Sequence, residues 1–479
     1  SLRARALELT ESFSPWQSED HKFRAWELED RAANLSTDAL IMRTEQTQLF
    51  RGALARKSDL QEAHSALAEQ YRAVHRAAEA AGEVAAARRA EVILREHVRA
   101  LPANGNLHKQ YVDYLDGTGS LSVDTVPRGA KLEILPFVRS NRRLVRGQAR
   151  DFGVSPLEDA GLEMGSFLLR ARLPGYHDAL CPVNIRRLEQ LTGKDPSGRS
   201  VPIQLLQDGT LGPDDCYIPA GWTWLGGDDG TPNSLPLTHA WIDGFVIRRF
   251  PVTHGQYLLF LNALIAGGQT EEALLHVPRE QSSSDDELGA MAYLRDADGP
   301  FRLPDDPKRT ICWPEQPVTM IQWRSARAYA RWYAEKTDLP WRLPMEFEWE
   351  KAARGVDARS YPWGDAFDPS WACMKDSHPA EVQMQNVDTF PFDESVYSVR
   401  GTAGNTRDWC LDRFRESGPP LDRGRLLLPS PEDLADTGFK STRGGSYGNS
   451  ASRARSADRD WWFPDRSYVG RGVRLAWGL

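Results

Sequence analysis

The nonapeptide Arg342-Leu343-Pro344-Met345-Glu346-Phe347-Glu348-Trp349-Glu350 alternates glutamates with aromatic residues. Four arginines can form bidentate bonds with nearby carboxylates. The arginines are Arg342, Arg354, Arg443 and Arg474, and the carboxylates are Glu346, Glu350, Asp388 and Asp408. A buried tryptophan removes a large apolar area from water and offers one N–H to a loop carbonyl. We therefore expect a loop-rich domain around this stretch, fixed by arginine–carboxylate pairs and by Trp332, Trp349, Trp363 and Trp409.

Further motifs surround this nonapeptide in a fixed order. They are Tyr217–Gly221, Phe245–Thr253, Gln316–Val318, Tyr361–Gly364, Gly404–Trp409, Arg443–Tyr447 and Gly472–Ala476. The ordered set resembles the formylglycine-generating-enzyme family, also called the sulfatase-modifying-factor family. The resemblance implies a loop-rich, C-type-lectin-like α+β fold over residues 212–479.

The resemblance also implies an oxidase chemistry, the conversion of a sulfatase cysteine to formylglycine on a copper ion. In the family two cysteines after the Arg-Gly-Gly-Ser motif hold the copper, and soft thiolates suit Cu(I). Here residues 447–459 contain no cysteine, and none follows Cys410. Ser450 and Ser452 are poor replacements, because neutral hydroxyls bind Cu(I) weakly. We expect no catalytic residues, no cofactor and no copper, with an oxidase of altered metal ligands as the alternative.

Two other metals are considered for this fold. The related iron-dependent sulfoxide synthases take histidine ligands from an added helical domain, but the ten histidines here include no i, i+4 pair. Family calcium sites lie near a Gly-Asn-x-x-Glu motif, where Asp408 can replace the glutamate as a hard oxygen ligand. Gly401 stands where a further oxygen-bearing side chain is expected. Asp408 is thus the candidate calcium ligand, and Cys410 is expected to be a buried structural thiol.

The last forty residues carry an unusual combination of charges and rings. Residues 440–479 hold eight basic and three acidic side chains. Aromatic residues are interleaved with these arginines, as in binding hot spots. The predicted ligand-binding residues are Asn449, Arg453, Arg455, Arg459, Trp461, Trp462, Arg466 and Tyr468. The alternative is that the rings close the domain's own core and the arginines are solvated or paired.

The region before residue 212 predicts two further domains. Residues 1–116 are rich in Ala, Leu, Glu and Arg with apolar residues at helical spacing, which predicts helices. Residues 62–71 resemble one tetratricopeptide helix, so this part is either a helical hairpin that spaces or dimerises domains or a peptide-binding repeat.

Residues 117–211 alternate apolar and polar residues between turns, which predicts short strands. Their turn motifs, including Pro127–Ala130 and Pro174–Tyr176, resemble a PEGA domain, a small β-sandwich. Gly129 and Gly175 are expected to adopt turn conformations that a side chain would disfavour.

Composition limits the classes of partner. Lysine and arginine number 59 against 67 acidic residues, for a formal charge of −8, so neither nucleic acid nor an anionic membrane is an expected partner. Five scattered cysteines fit a cytoplasmic protein.

The order of domains resembles bacterial serine/threonine kinases fused to a formylglycine-generating-enzyme-like domain, which makes an upstream kinase domain a candidate partner. No kinase motif occurs in the chain itself. The sequence therefore favours a non-catalytic module that binds a protein or small molecule, over an active oxidase or a structural spacer.

Overall fold

The structure is a computed structural model that describes residues 2–11, 18–80, 83–281, 289–305, 312–378 and 382–479. The chain divides into two compact units, Ser1–Thr118 and Gly119–Leu479. The first unit is helical and the second mixes short helices and strands, so the predicted α+β class is confirmed. Within the described residues, no helix is long and apolar enough to cross a bilayer.

The described residues of the first unit form helices. They are α1 (Leu2–Glu11), α2 (Phe23–Arg56), α3 (Gln61–Ala80), α4 (Val84–Arg99) and α5 (Asn106–Asp116). Helices α3 and α4 pack side by side around Ala68, Leu94 and Val98. The Nδ1 atoms of His64 and His97 lie 3.1 Å apart between these two helices. The helices are confirmed, whereas the choice between a spacer hairpin and a repeat stays a prediction.

The second unit begins with a β-sandwich. Its strands are β1 (Gly119–Val123), β2 (Thr125–Val126), β3 (Lys131–Ser140), β4 (Arg143–Arg146), β5 (Arg150–Val154), β6 (Leu157–Leu162), β7 (Gly165–Arg172), β8 (Ala179–Ile185), β9 (Gln190–Leu191) and β10 (Ile203–Gln204). One sheet has the order β6-β1-β9, a second has β4-β3-β7-β8 with β5 also paired to β3, and β2 pairs with β10 in a two-stranded sheet. Gly129 and Gly175 have φ angles of +91° and +83°, as their predicted turns require.

The remainder of the second unit has short strands and helices between long loops. The strands are β11 (Asp215–Ile218), β12 (Gly221–Leu225), β13 (Thr238–Ile242), β14 (Phe245–Arg248), β15 (Leu294–Arg295), β16 (Phe301–Arg302), β17 (Arg407–Arg413), β18 (Leu421–Asp422), β19 (Arg425–Leu426), β20 (Lys440–Arg443), β21 (Arg459–Trp462), β22 (Arg471–Gly472) and β23 (Ala476–Gly478). The helices are α6 (His254–Ala266), α7 (Thr270–His276), α8 (Trp323–Thr337) and α9 (Glu346–Arg354). Their sheets run β11-β14-β23, β12-β13-β19-β18 and β21-β20-β17-β22, with β15 paired to β16.

The sandwich and the mixed region share a hydrophobic core. A single cluster of buried side chains includes Leu121 and Leu169 of the sandwich together with Trp323 and Trp409 of the mixed region. This continuity explains why residues 119–479 form one compact unit. The predicted division at residue 211 stays a prediction.

Apolar residues at helical spacing predict helices over 258–266 and 324–336, and helices α6 and α8 occur there. Helix α6 begins earlier than predicted, because Thr253 and Gln256 form a capping box at its N-terminus. Helix α9, which begins inside the nonapeptide and continues to Arg354, was not predicted as a helix. It is only nine residues long and every residue is buried, so it lacks the polar face by which amphipathic helices are recognised.

The Gly404–Trp409 motif has its glycine where two backbone segments touch. A Cβ atom at Gly404 would lie 2.2 Å from the Cys373 carbonyl oxygen and under 3 Å from two further backbone atoms of Cys373. The Asn405 N–H donates to the same carbonyl at 2.7 Å. Gly404 is therefore required by close backbone contact.

We predict that Gly404→Ala destabilises the second unit by about 2 kcal/mol or more, because backbone atoms must move to admit the methyl group. The measurement is the urea unfolding midpoint of the full chain. Gly448→Ala is the matched control, since nothing lies within 4 Å of a Cβ there. Equal midpoints for the two variants would contradict the steric argument.

Candidate functional site

A network of buried charges lies beneath the C-terminal segment. Glu346 and Glu350, on α9, are at most 1% exposed, and Arg443 of β20 is fully buried between them. An Arg443 Nη2 atom donates to Glu350 at 2.5 Å, and Arg354 reaches the same glutamate at 3.1 Å. Coulomb attraction from arginines holds the pKa of Glu346 below its usual range despite burial. The network fixes α9 against β20, as the sequence-predicted arginine–carboxylate pairs require.

Arg459, predicted as a ligand-binding residue, belongs to this network. It is 3% exposed and ion-paired with Glu346. A second nitrogen donates to the Arg415 carbonyl at 2.7 Å. Because its charge is already satisfied inside the domain, Arg459 is a structural residue.

Asp408, the predicted calcium ligand, is also internal. Its Oδ2 atom accepts hydrogen bonds from Trp349 at 2.8 Å and from Arg474 at 2.9 Å, and the residue is fully buried. Arg474 in turn donates to the carbonyls of Arg249 and Arg400 at 2.6 and 2.7 Å. The carboxylate thus pairs with arginine and anchors loops of the domain, and its role as a calcium ligand stays a prediction.

The loop after Arg443-Gly444-Gly445-Ser446 presents hydroxyls and amides. Asn449 closes it, accepting a hydrogen bond from the Ser446 N–H at 2.9 Å. The Ser450 and Ser452 hydroxyls are 3.1 Å apart and exposed. Neutral oxygens of this kind are hard, weak ligands, so these residues do not fit a Cu(I) ion.

The two cysteines of the family domain near this loop are separate buried thiols. Cys373 is 2% exposed, and burial raises its pKa to about 12. Cys410 is fully buried on β17, and burial raises its pKa well above the usual value, as expected for a structural thiol. Across the described residues, no three His, Cys, Asp or Glu side chains converge as a metal site.

Arg453 and Arg455 lie at the edge of the loop and differ in how fully their side chains are bonded within the protein. Both oxygens of Asp228 accept from Arg455 Nε, at 2.7 and 2.8 Å, and the same guanidinium bonds Ser360 at 2.8 Å. Arg453 is 35% exposed and lies 3.5 Å from Asp458. Arg455 is therefore committed to loop packing, whereas Arg453 remains partly available.

One side of β21 carries an aromatic cluster. The Trp461 ring lies 4.0 Å from Phe439 and 6.2 Å from Phe463, measured between centroids. Phe414 contacts Trp461 at 6.4 Å, and Phe439 is 38% exposed. We call Phe414, Phe439, Trp461 and Phe463, together with Arg466, the aromatic surface. Arg466 covers one end, with its guanidinium 4.5 Å from the Phe463 ring.

Trp462 points to the other side of β21, as alternation along a strand requires. Arg471 stacks on it at 4.2 Å, and Tyr468, which is 37% exposed, contacts it at 5.3 Å. Within the described chain, the buried Trp462 Nε1 and Arg471 Nε atoms have no hydrogen-bond partner. Buried donors of this kind normally bond to an ordered water or a ligand.

The sequence missed Phe414 and Phe439 because they precede the C-terminal segment. Antiparallel pairing of β20 with β21 sets Lys440 opposite Trp462, and this pairing brings residue 439 beside Trp461. The spacing of the two strands and of the loop between them contains this information. The register in which the strands pair, however, cannot be read from residue types alone.

The fold described above agrees with the protein family that the sequence matches. Residues 205–479 match the model of the sulfatase-modifying factor enzyme 1-like domain, more than half of the chain. The chain belongs to this family. The resemblance stated from the motifs is thereby confirmed.

Relatives in the family have several functions. A formylglycine-generating enzyme of Streptomyces coelicolor is 31% identical over 202 residues, which cover 39% of this chain and 61% of the relative. A hercynine oxygenase of Mycolicibacterium thermoresistibile is 31% identical over 172 residues, or 35% and 37% of the two chains. The serine/threonine-protein kinase Pkn1 of Chlamydia trachomatis is 28% identical over 247 residues, or 51% and 34%. The matches thus span less than two thirds of each of these relatives.

A second buried carboxyl group, Asp412 of β17, faces the Glu346 network. It accepts a hydrogen bond from the Glu346 backbone N–H. Burial, together with repulsion from Glu346 and Glu348, raises its pKa from 3.8 to about 8. The folded domain therefore holds a proton that the unfolded chain releases at neutral pH.

We predict that Asp412→Asn stabilises the chain relative to wild type, by an amount that grows with pH between about 4 and 8. The folded pKa lies above the unfolded one, so wild-type stability falls as pH rises through this window, at up to ~1.4 kcal/mol per unit. Urea unfolding at several pH values measures the difference. Asp422→Asn, at an exposed carboxylate, is the control, and parallel pH profiles for wild type and Asp412→Asn would refute the assignment.

Proposed function

We propose that the family domain of this chain is a non-catalytic module that binds a protein ligand on its aromatic surface. The upstream sandwich and helices then position the module relative to an effector. The function proposed for this member of the family therefore differs from the enzymatic functions that its relatives' names state.

The observation that carries the proposal is the donor set of the loop after Ser446. Residues 447–459 contain serine, asparagine and arginine but no sulfur. The backbone beside Cys373 contacts this loop, since the Lys375 N–H donates to the Asn449 carbonyl at 3.0 Å. A single buried thiol cannot replace a pair of thiolate ligands, so copper-dependent oxidation of a cysteine is not supported.

The aromatic surface supports the binding half of the proposal. Rings that are half-buried and held by one another lose little side-chain entropy when a partner covers them. Arg466 adds a directed cation at the rim of these rings. Aromatic residues and arginine are the groups that contribute most to protein–protein binding.

A kinase partner is supported by the Chlamydia relative, which is a serine/threonine-protein kinase by name. We extend the proposal to a bacterial signalling protein in which a kinase domain lies upstream of the helical region. The scattered, reduced cysteines and the formal charge of −8 favour a cytoplasmic setting without a nucleic-acid or membrane partner.

The proposal that the module is non-catalytic is tested with Cu(I) and a cysteine peptide of sulfatase sequence. We expect no copper retained against a competing chelator, and no mass loss of the kind that accompanies aldehyde formation. A formylglycine-generating enzyme run in parallel is the positive control. Turnover of the peptide would replace the proposal with the alternative, an active oxidase with altered ligands.

The binding half is tested by panning a displayed random-peptide library on the purified full chain. We expect enriched peptides that lose at least about tenfold in affinity for Trp461→Ala or Phe463→Ala, since each ring contributes one or more kcal/mol. Phe392→Ala is the matched control, because Phe392 is 41% exposed and also covered by an arginine, Arg143. Enriched peptides that bind both surface variants as tightly as wild type would contradict the proposal.

A further inference from the structure

Helix α2 of the first unit has a long exposed middle section. The helix contains 34 residues and is about 51 Å long at 1.5 Å per residue. Helices α1 and α3 pack against it, and its buried residues, Ala25, Ala32 and Thr47, flank the middle section. Every residue from 33 to 46 is exposed. Within the described part of the chain, the middle of α2 thus buries no side chain.

Apolar side chains recur along this section at a fixed interval. Leu35, Met42 and Leu49 are seven residues apart, and each is more than half exposed. A second series precedes the first by three residues and consists of Ala25, Ala32, Ala39, Gln46 and Ala53. Two series with this offset and this repeat correspond to the a and d positions of a coiled coil. We call Leu35, Ala39, Met42 and Leu49 the apolar stripe.

The apolar stripe favours a second helix as its partner. A helix that is exposed on all sides gains little stability from packing, and burial of leucine and methionine against another helix removes apolar surface from water. Leu40 is also more than half exposed, but it lies about 140° around the helix axis from Leu35. The stripe is therefore confined to one side of α2.

Gln46 limits the choice of partner, because it lies at an a position between Met42 and Leu49. In a parallel coiled coil of two identical chains, equivalent a positions meet, so the two Gln46 amides can hydrogen-bond to each other. In an antiparallel pair an a position meets a d position, which would cover the amide with leucine or methionine and leave it unsatisfied. Gln46 thus favours a second copy of this chain in parallel orientation.

The charges beside the apolar stripe favour the same partner and orientation. In a parallel pair, each g residue lies beside the e residue five positions later in the other helix. Asp38, at a g position, then meets Arg43 of the second copy, and the symmetry repeats this pair. The neighbouring g residues meet Ser36 and Phe50, which are uncharged. An antiparallel pair that sets Ala39 against Met42 would instead bring Asp38 beside Glu45, a second acid.

From these features we infer that α2 is a dimerisation helix, which forms a parallel two-stranded coiled coil with α2 of a second copy of this chain. The two helices meet along the apolar stripe, with Gln46 as a polar layer and Asp38 paired to Arg43 on both flanks. The inference uses residues of the first unit alone. It is independent of the aromatic surface and of the absence of copper.

The oligomeric state of the full chain is measured by sedimentation equilibrium at about 50 µM, where a dimer of micromolar affinity is populated. We expect twice the mass of one chain. Leu35→Glu combined with Met42→Glu should give a monomer with unchanged helix content by circular dichroism, because both positions are exposed within one chain. Leu40→Glu, at an exposed leucine outside the stripe, is the matched control and should remain a dimer.

Two outcomes of this measurement would overturn the inference. A monomeric wild-type chain would mean that the apolar stripe has another occupant. A dimer that persists in the Leu35→Glu, Met42→Glu variant would place the contact elsewhere in the chain.

Charge exchange tests the parallel register. Asp38→Arg and Arg43→Asp should each weaken self-association about tenfold, because each turns two attractive pairs into repulsive ones. An equimolar mixture of the two variants should recover the wild-type affinity, since the mixed dimer restores both pairs. Unchanged association of the single variants, or a mixture that associates no better than they do, would overturn the register.

A cross-link reports the orientation directly. Equivalent d positions of a parallel pair lie within reach of a disulfide, so Met42→Cys should form a covalent dimer under mild oxidation. The five native cysteines are buried and give little background. Leu40→Cys is the control and should stay uncrosslinked. Cross-linking of Leu40→Cys but not of Met42→Cys would contradict the proposed contact.

Discussion

The buried pairing of Glu346 and Glu350 with arginines is the constraint on which the C-terminal domain depends. Charges without water are tolerated only when partners of opposite sign and hydrogen bonds surround them, and loss of one partner costs about 3–5 kcal/mol. Arg443 of β20 and Arg459 of β21 converge on one short helix, α9, whose own Arg354 pairs with Glu350. In a domain whose strands are mostly two to five residues long, these pairs do what long hydrogen-bonded ladders do elsewhere.

Much of this arrangement could be predicted from the sequence, because buried charged residues require partners of opposite charge and tryptophans favour burial. Arginines and glutamates in an apolar, tryptophan-rich context have to pair, and Trp349 and Trp409 are buried as expected. Arg342 shows the limit of this reasoning, since it pairs with Glu348, a partner that was not predicted. The chemistry of a pair follows from composition, but the choice among neighbouring glutamates depends on helix phase, and α9 is too short and too buried to reveal its phase.

The C-terminal segment shows a similar division. Its arginines and rings were predicted as one surface, whereas β21 separates them by alternation. Arg459 turns inward to Glu346, Trp461 joins Phe439, and Trp462 stacks with Arg471. Adjacent residues of a strand face opposite sides, so a cluster in sequence becomes two clusters in space.

The shared hydrophobic core has a mechanical consequence. Since Leu169 and Trp409 belong to one buried cluster, the sandwich cannot swivel on the domain that follows it without exposing apolar side chains to water. Residues 119–479 therefore move as one rigid unit. A displacement applied at Gly119 is transmitted through the shared core to the face of β21 that carries the aromatic surface.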